Sequence, residues 1–578
     1  MADLATVLAK EKNLGELHAR MDEDKDLAYL KPYVLRDKTK HKVAGIINVT
    51  LNIPAMFNAH VQASLMGATQ QAHVTGDGLQ DEQTRPVEKF LDVALKSVDR
   101  RLKVMGEPAL RPVIAEQADL RGRIAARVLF RKDAQGNLVT DILPFDARHF
   151  THEMGVDGME WGAYKTWRAP DKIRSQYPDL SSTAVPDGED LEVTDLWQWK
   201  RGGAEPIVVN SVYVGANIAR DMMEYPKLRR LPIVYHEVPL GSMLKDKDAS
   251  PRRGESIFYL IRDLIPEYNR LASLMQTSNQ AAILRALTWH TKEGIGAKIP
   301  EDGGKMGTST AAEVGGGYQL VPIGDIQQAG RLMQALLSRL IQAGSLSLTD
   351  LGNLSFPLSA VALIELGEAS GKVFLPRLGT MGLFYEDAGG MAIEQVLDLG
   401  MSTIELGTRG HKQTFQVADL KGDYDIEYQF FVKAPQTDAA LFALADVAKE
   451  FLDPDTVLRD VIKVPNPTEI QEKRRHAEAE LISPGVKLRR TAEALWKQGE
   501  KTGSMGDKVD ALIMAEEMGL SIEKVLGEEP GEKPPKPGGN GQQPARNKLG
   551  VELFPGTRAA SNTRSARQAG AEGSGEGK

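Results

Sequence analysis

The hydrophobic period changes twice along this chain, and those changes restrict its fold more than any motif does. Over 87–105, Val87, Phe90, Leu91, Ala94, Leu95, Val98, Leu102 and Met105 recur three or four residues apart, which predicts a helix. Pro86 suits the first position of that helix and Gly106 the position just past its end. From Arg123 the period becomes two. Ile124, Ala126, Val128 and Phe130 share one face of a strand, and Arg123, Arg127 and Arg131 share the other. A turn at 133–137 (DAQGN) leads into a return strand over 138–143, and further strands are predicted at 159–167, 191–199, 207–214 and 233–238. Helical and strand blocks are therefore segregated, which is the pattern of an α+β fold rather than an alternating α/β one.

Helical spacing returns from Gly254. Ile257, Ile261, Leu264, Tyr268, Leu271 and Met275 form one stripe, which Pro266 should kink or restart. The glycine-rich stretch 285–326 reads as a small excursion between two helices. The second of these covers 327–342, with Met333, Leu336, Leu337, Leu340 and Ile341 on its apolar face. A loop at 343–358 carries a single charge, Asp350, and a helical region at 359–401 should be bent or broken by Gly367, Gly371, Pro376, Gly379 and Gly382. Strand pattern reappears over 413–432, and helices run on to about 526. One of them is announced by Asn466-Pro467-Thr468-Glu469, an N-cap, a first-turn proline and a capping-box partner. The last 52 residues hold 11 Gly and 6 Pro, with Phe554 as the only aromatic, so they are expected to be disordered. The short run 549–555 is the one piece of that tail with the apolar content to dock.

Several function classes drop out. The 578 residues contain no cysteine, so there is no disulfide framework and no thiolate site, and a reducing compartment is the default. The net charge of -8 excludes a compact basic DNA-binding domain. The first twenty residues lack the apolar core of a signal peptide. The stretch 43–76 has no Asp, Glu, Lys or Arg, but Asn48, Thr50, Asn52, Pro54, Asn58 and His60 interrupt it, so no membrane span is expected. His149 and His152 lie on opposite faces of a strand-like segment and read as structural. The lysines after Gly304 and Gly371 lack the Ser or Thr of a phosphate-binding loop. Basic clusters at 473–475 and 487–490 read as solvated helix faces. No catalytic constellation, metal site or cofactor loop emerges, so the chain is read as a non-enzyme without cofactor.

What is specific is the order of parts. Arg253-Gly254-Glu255-Ser256 leads into a helix with an acidic-apolar repeat and Asn269 near its middle. Leu375-Pro376-Arg377-Leu378 opens a second acidic-apolar helix ending near Gly400, and Ile47-Asn48 and Asp157-Gly158-Met159-Glu160-Trp161 precede them. This arrangement, over roughly 1–515, resembles the portal (head–tail connector) proteins of tailed bacteriophages. The excursion at 285–326 is shorter, and the 359–401 helix richer in glycine, than that family's pattern.

The resemblance implies a multidomain ring subunit. Its wing would span 1–250 and 402–435, its stem helices 251–284 and 327–342, and its clip 285–326. A tunnel loop at 343–358, the broken helix at 359–401, a helical crown at 436–526 and a disordered tail at 527–578 complete it. It further implies a twelvefold ring at a capsid vertex of the virion, assembled in the host cytoplasm. Double-stranded DNA would pass through the channel during packaging and ejection. The terminase large subunit, a tail adaptor and the major capsid protein would be its partners, with no membrane involved. Within that frame the channel candidates are Ser345, Ser347, Thr349, Asp350, Asn353 and Ser355, and the cations near the channel or between subunits are Arg331 and Arg339. The clip candidates for partner binding are Trp289, His290, Lys292, Lys298, Lys305 and Tyr318. Twelve copies would carry twelve times -8, about -96, which repels DNA at long range and favours weak, moving contact. Two other readings compete: a virion ring or adaptor without DNA passage, and a metal-dependent nuclease.

Overall fold

In the computed structural model the Arg123–Val128 strand is buried on both faces, and two cores form back to back across it. The structure describes residues 2–526 apart from 78, 80, 182, 203–204, 245, 247–249, 284–286, 291–316, 321–326, 345–373, 409, 432–441, 443, 465–466, 503 and 521. On one side Ile124, Ala126 and Val128 join Phe90 and Val98 of the Asp81–Val104 helix and Met381 and Phe384 of the Leu375–Asp398 helix. On the other, Ala125 packs with Phe145, Phe150, Trp197 and Ile233. Arg123 and Arg127 on that second face are ion-paired, whereas Arg131 is exposed. Arg127 reaches Asp141 and Asp195 at 3.1 and 3.3 Å, and Arg123 reaches Glu237 at 3.4 Å. Burying a cation is tolerable only with such partners.

The strand is the middle of a three-stranded antiparallel sheet, flanked by Ile233–Glu237 and Ile142–Phe145. A five-stranded antiparallel meander stands beside it in the order Asn217–Tyr225, Ile207–Val214, Leu191–Lys200, Met159–Arg168 and Phe150–Met154. The predicted strands at 207–214 and 191–199 match closely. Asn217–Tyr225 was not expected, because as a largely exposed edge strand it has little apolar alternation to read. Thr69–Thr75 pairs antiparallel with Asp425–Phe431, which lies in the predicted strand stretch 413–432; the pairing itself no local pattern could announce.

Two helices differ from expectation. The one predicted from 87 begins at Asp81, so Pro86 lies inside it and removes only the bond its amide would give to residue 82. The predicted breaks at Gly379 and Gly382 do not occur: Leu375–Asp398 is a single helix with Pro376 in its first turn, while 359–373 lie outside the described residues. Two of its glycines, Gly382 and Gly389, are close-approach points, whereas among the described residues nothing lies near Gly379. A Cβ on Gly382 would collide with the carbonyl oxygen of Tyr428, and one on Gly389 would sit 3.1 Å from Leu91 Cδ2. Small residues here let the Asp425–Phe431 strand lie directly on the helix.

Pro266 restarts rather than kinks its helix: turns over 257–263 precede the regular helix Leu264–Ile283. His149 and His152 are both packed on rings. His149 lies edge-on to Trp167 at 4.7 Å, and His152 stacks on Phe150 at 5.3 Å, where burial pulls it down to about 3. Among the described residues no group of His, Cys, Asp or Glu is arranged to hold a metal ion, and no helix is long and apolar enough to cross a membrane.

Residues 1–475 and 476–578 form two compact units. The described part of the second holds the helices Pro484–Thr502, Met505–Glu517 and Ile522–Val525, closed over Ala492, Ala515 and Val525. The predicted cap Asn466 and the tail 527–578 lie outside the described residues.

Candidate functional site: a helix pair and its polar anchor

The helices on either side of the predicted Gly-rich excursion, Leu264–Ile283 and Gln327–Gly344, pack on each other. Gly330 sits against Met275, where a Cβ would come within 3.9 Å of its Cγ and Sδ. At the other end Leu264 and Tyr268 pack on the main core that Ile341 joins, so the helices run antiparallel. Between them the strands Leu287–His290 and Gly317–Leu320 pair antiparallel, with Trp289 opposite Tyr318 and His290 opposite Gly317. Those positions are the backbone of three clip candidates; Lys292, Lys298 and Lys305 lie outside the described residues.

The apolar stripe of the second helix is wider than its packing face. Leu337 and Ile341 are buried, as predicted. Met333, Leu336 and Leu340, predicted to pack with them, are exposed, and with Leu332, 74% exposed, they leave an apolar row at i, i+4 and i+8. Leu274 of the first helix is exposed too. Arg331 and Arg339 are both exposed and have no ion-pair partner among the described residues. By helical geometry Arg339 borders the exposed leucine row, whereas Arg331 falls away from it by about 100°. The tunnel-loop candidates Ser345, Ser347, Thr349, Asp350, Asn353 and Ser355 all lie outside the described residues.

Sequence reasoning singled out Asn269 but missed the row it belongs to. Asn269, Ser273 and Thr277 stand four residues apart on the first helix and accept hydrogen bonds from the amides of Leu51, Val49 and Ile47 at 3.0, 2.8 and 2.9 Å. The two hydroxyls donate back to the helix: Ser273 to the Asn269 carbonyl and Thr277 to the Ser273 carbonyl, each at 2.7 Å. Their lone pairs are thereby aimed outward at the extended segment. The legible signal was polar residues at helical period on a stripe otherwise read as surface. Asn269→Leu should leave the Leu51 amide without its acceptor, at a cost of about 1–3 kcal/mol. Amide exchange at Ile47, Val49 and Leu51 should then accelerate together while exchange in the 123–128 strand stays unchanged.

The Arg253-Gly254-Glu255-Ser256 sequence is the anchor at the base of this pair. Gly254 has φ of +63° and lies against Gly122, φ +62°, so the two backbones touch where side chains would forbid it. The Ser256 hydroxyl accepts the Phe258 amide at 3.1 Å, and the Asp119 carbonyl accepts the Ile257 amide at 3.0 Å. Glu255 lies 3.3 Å from Arg20 and 2.8 Å from Arg262, and Arg262 binds Asp24 through two bonds at 2.7 and 2.8 Å. Burial lifts the Asp24 carboxyl above its ordinary range despite that arginine. Burial also works against the Arg262 charge, but its bonds to Asp24 and Glu255 hold its pKa above the usual value.

Asp119 belongs to a π-turn, Gln117–Arg121, and is wholly buried with its carboxylate 3.8 Å from Arg377 at the head of the Leu375–Asp398 helix. The pair joins the anchor to the main core.

No family model and no curated protein matches the sequence. Among solved structures, a chain from the neck of a native GTA particle computed with C12 symmetry is similar over 72% of this chain and 90% of that one, at 11% identity and a TM-score of 0.37. A chain from the neck of an empty GTA particle computed with C6 symmetry is similar over the same shares, at 10% identity and the same TM-score.

Proposed function

We propose that this chain is the subunit of a ring-shaped portal, the head–tail connector at one capsid vertex of a tailed phage or phage-like particle, through which double-stranded DNA enters and leaves. The observation that carries the reading is the helix pair. Two antiparallel helices rooted in the core bracket a β-hairpin, and one of them presents a row of leucines that its own partner helix leaves exposed. An apolar row of this kind bordered by Arg339 suits a neighbouring copy of the same chain. The order of parts along the sequence, the absence of a phosphate-binding loop and the net charge of -8 fit a conduit that lets DNA slide rather than a motor or a nuclease. In this reading the terminase large subunit and a tail adaptor dock on the hairpin region, and the loop at 343–358 faces the passing DNA.

The test is the assembly itself. Twelve chains of 63.2 kDa make a ring of about 760 kDa, and negative-stain images of the purified protein should show a ring with an axial hole. A monomer or dimer, or a closed assembly without a hole, would remove the proposal. Substituting Arg331→Gln and Arg339→Gln together should weaken ring assembly or DNA packaging. Rings of unchanged stability and packaging yield would take both arginines out of that role while leaving the ring reading intact.

A further inference from the structure

The Met505–Glu517 helix of the second unit is apolar on two opposite faces. Ala511 and Ala515 are buried, and Met514 and Met518 pack beside them on the small core formed with Ala492, Val525 and Ile522. Away from that core, Met505, Val509, Leu512, Ile513 and Leu520 are exposed, Met505 to 75%. At about 100° per residue Met505, Val509, Leu512 and Ile513 fall in one stripe some 100° wide, which Glu516 interrupts one turn further on; Leu520 lies past the helix end, beyond Gly519 with φ of +68°. A contiguous apolar stripe on a helix face is ordinarily covered.

The chain that leaves this unit carries a matching piece. Described residues end at Leu526, one residue past the Ile522–Val525 turn that closes the same core. Residues 527–548 contain no large apolar side chain, and beyond them stands Leu549-Gly550-Val551-Glu552-Leu553-Phe554. Charge is complementary too. The helix bears Asp507, Asp510, Glu516 and Glu517 against Lys508, whereas the apolar run is flanked by Arg546, Lys548 and Arg558. A glycine-rich connection of 22 residues has a root-mean-square reach of about 26 Å, and a 13-residue helix is about 20 Å long. The connection therefore reaches any point of the stripe and holds the run near it at high effective concentration.

We infer that residues 549–554 dock in cis on the stripe formed by Met505, Val509, Leu512 and Ile513, with the flanking arginines and lysine against the acidic edge at Asp510 and Glu517. The exposed face of the Met505–Glu517 helix is then an internal seat for the chain's own downstream segment.

The experiment uses the full chain and trypsin. Cleavage after Lys548 and Arg558 should be about tenfold slower than after Arg564 and Arg567, because proteolysis follows the undocked population. Leu553→Asp with Phe554→Asp should erase that difference and speed amide exchange over 509–513, with the fold of the helical unit intact because both substitutions lie outside it. Val509→Lys with Ile513→Lys on exposed positions should erase the same difference from the other side. Equal cleavage at all four sites in the unaltered chain would overturn the inference. So would slow exchange at 509–513 that survives the tail substitution, whether it weakens on dilution, as for a second copy, or not, as for another part of the chain.

Discussion

Arg262→Ala is expected to destabilise the first unit by about 3–5 kcal/mol, the usual cost of removing one partner from a buried ion pair. Arg262 is the single cation between Asp24, whose side chain is 2% exposed, and Glu255, 9% exposed. Of the two carboxylates Arg20 pairs with Glu255 and not with Asp24, so Asp24 would be left buried without a counter-ion among the described residues. Burial already raises the Asp24 pKa with the arginine present, and without it the carboxyl must rise further. The sign of the pH dependence follows. A carboxyl whose folded pKa lies above its unfolded value binds more protons in the native state, so stability falls as pH rises between the two. The deficit of Arg262→Ala should therefore shrink as the pH is lowered from 7 towards 5. Urea midpoints of variant and parent across that range measure it. A deficit under about 1 kcal/mol at pH 7, typical of exposed pairs, would mean that the cluster is solvated.

Gly122→Ala should be comparably severe for a different reason. Its left-handed backbone costs an L-residue roughly 1–2 kcal/mol by itself. The added Cβ would also lie 2.5 Å from the Gly254 carbonyl carbon and 2.6 Å from the Glu255 carbonyl oxygen, and neither can yield without moving the anchor. The sum is about 4 kcal/mol or more, in line with the cost of combined strain and overpacking. Gly106→Ala provides the control. Its φ is +81°, but no atom lies within 4 Å of the new Cβ, so only the conformational cost of about 1 kcal/mol applies. Equal losses from the two substitutions would show that the Gly122–Gly254 contact is dispensable.

Much of the fold was legible where one face of an element is buried and the other is not. The strands at 191–200 and 207–214 and the long helix through Phe90 and Val98 were read from period alone. Reading failed where the reason for a residue lies in a distant segment. Gly382 looks like a helix break until the Asp425–Phe431 strand is laid across the helix. Thr69–Thr75 has no strand pattern without its partner. The partners of Arg123 and Arg127 were not legible because the carboxylates that receive them, Glu237, Asp141 and Asp195, come from three other positions along the chain. In the candidate site the opposite error arose. Met333, Leu336 and Leu340 carry a clear core pattern, yet nothing among the described residues covers them. Asn269 was noticed, but not its companions, because a hydroxyl bonding its own helix leaves no composition signal.

The row Asn269, Ser273, Thr277 works as a vernier between two rulers. Four helical residues advance about 6.0 Å, and two extended residues advance about 6.6 Å. Successive marks therefore slip by about 0.6 Å. Across three marks the accumulated slip is about 1.2 Å, which tilt of the side chains can absorb while each bond stays near 2.9 Å. Two further marks would double it and exceed what a hydrogen bond tolerates. Such a scale registers a chain segment over a limited length and then lets go of it, so the extended piece at 47–51 is indexed to the helix at one setting, and a shift of the helix by a single turn would carry that piece along with it.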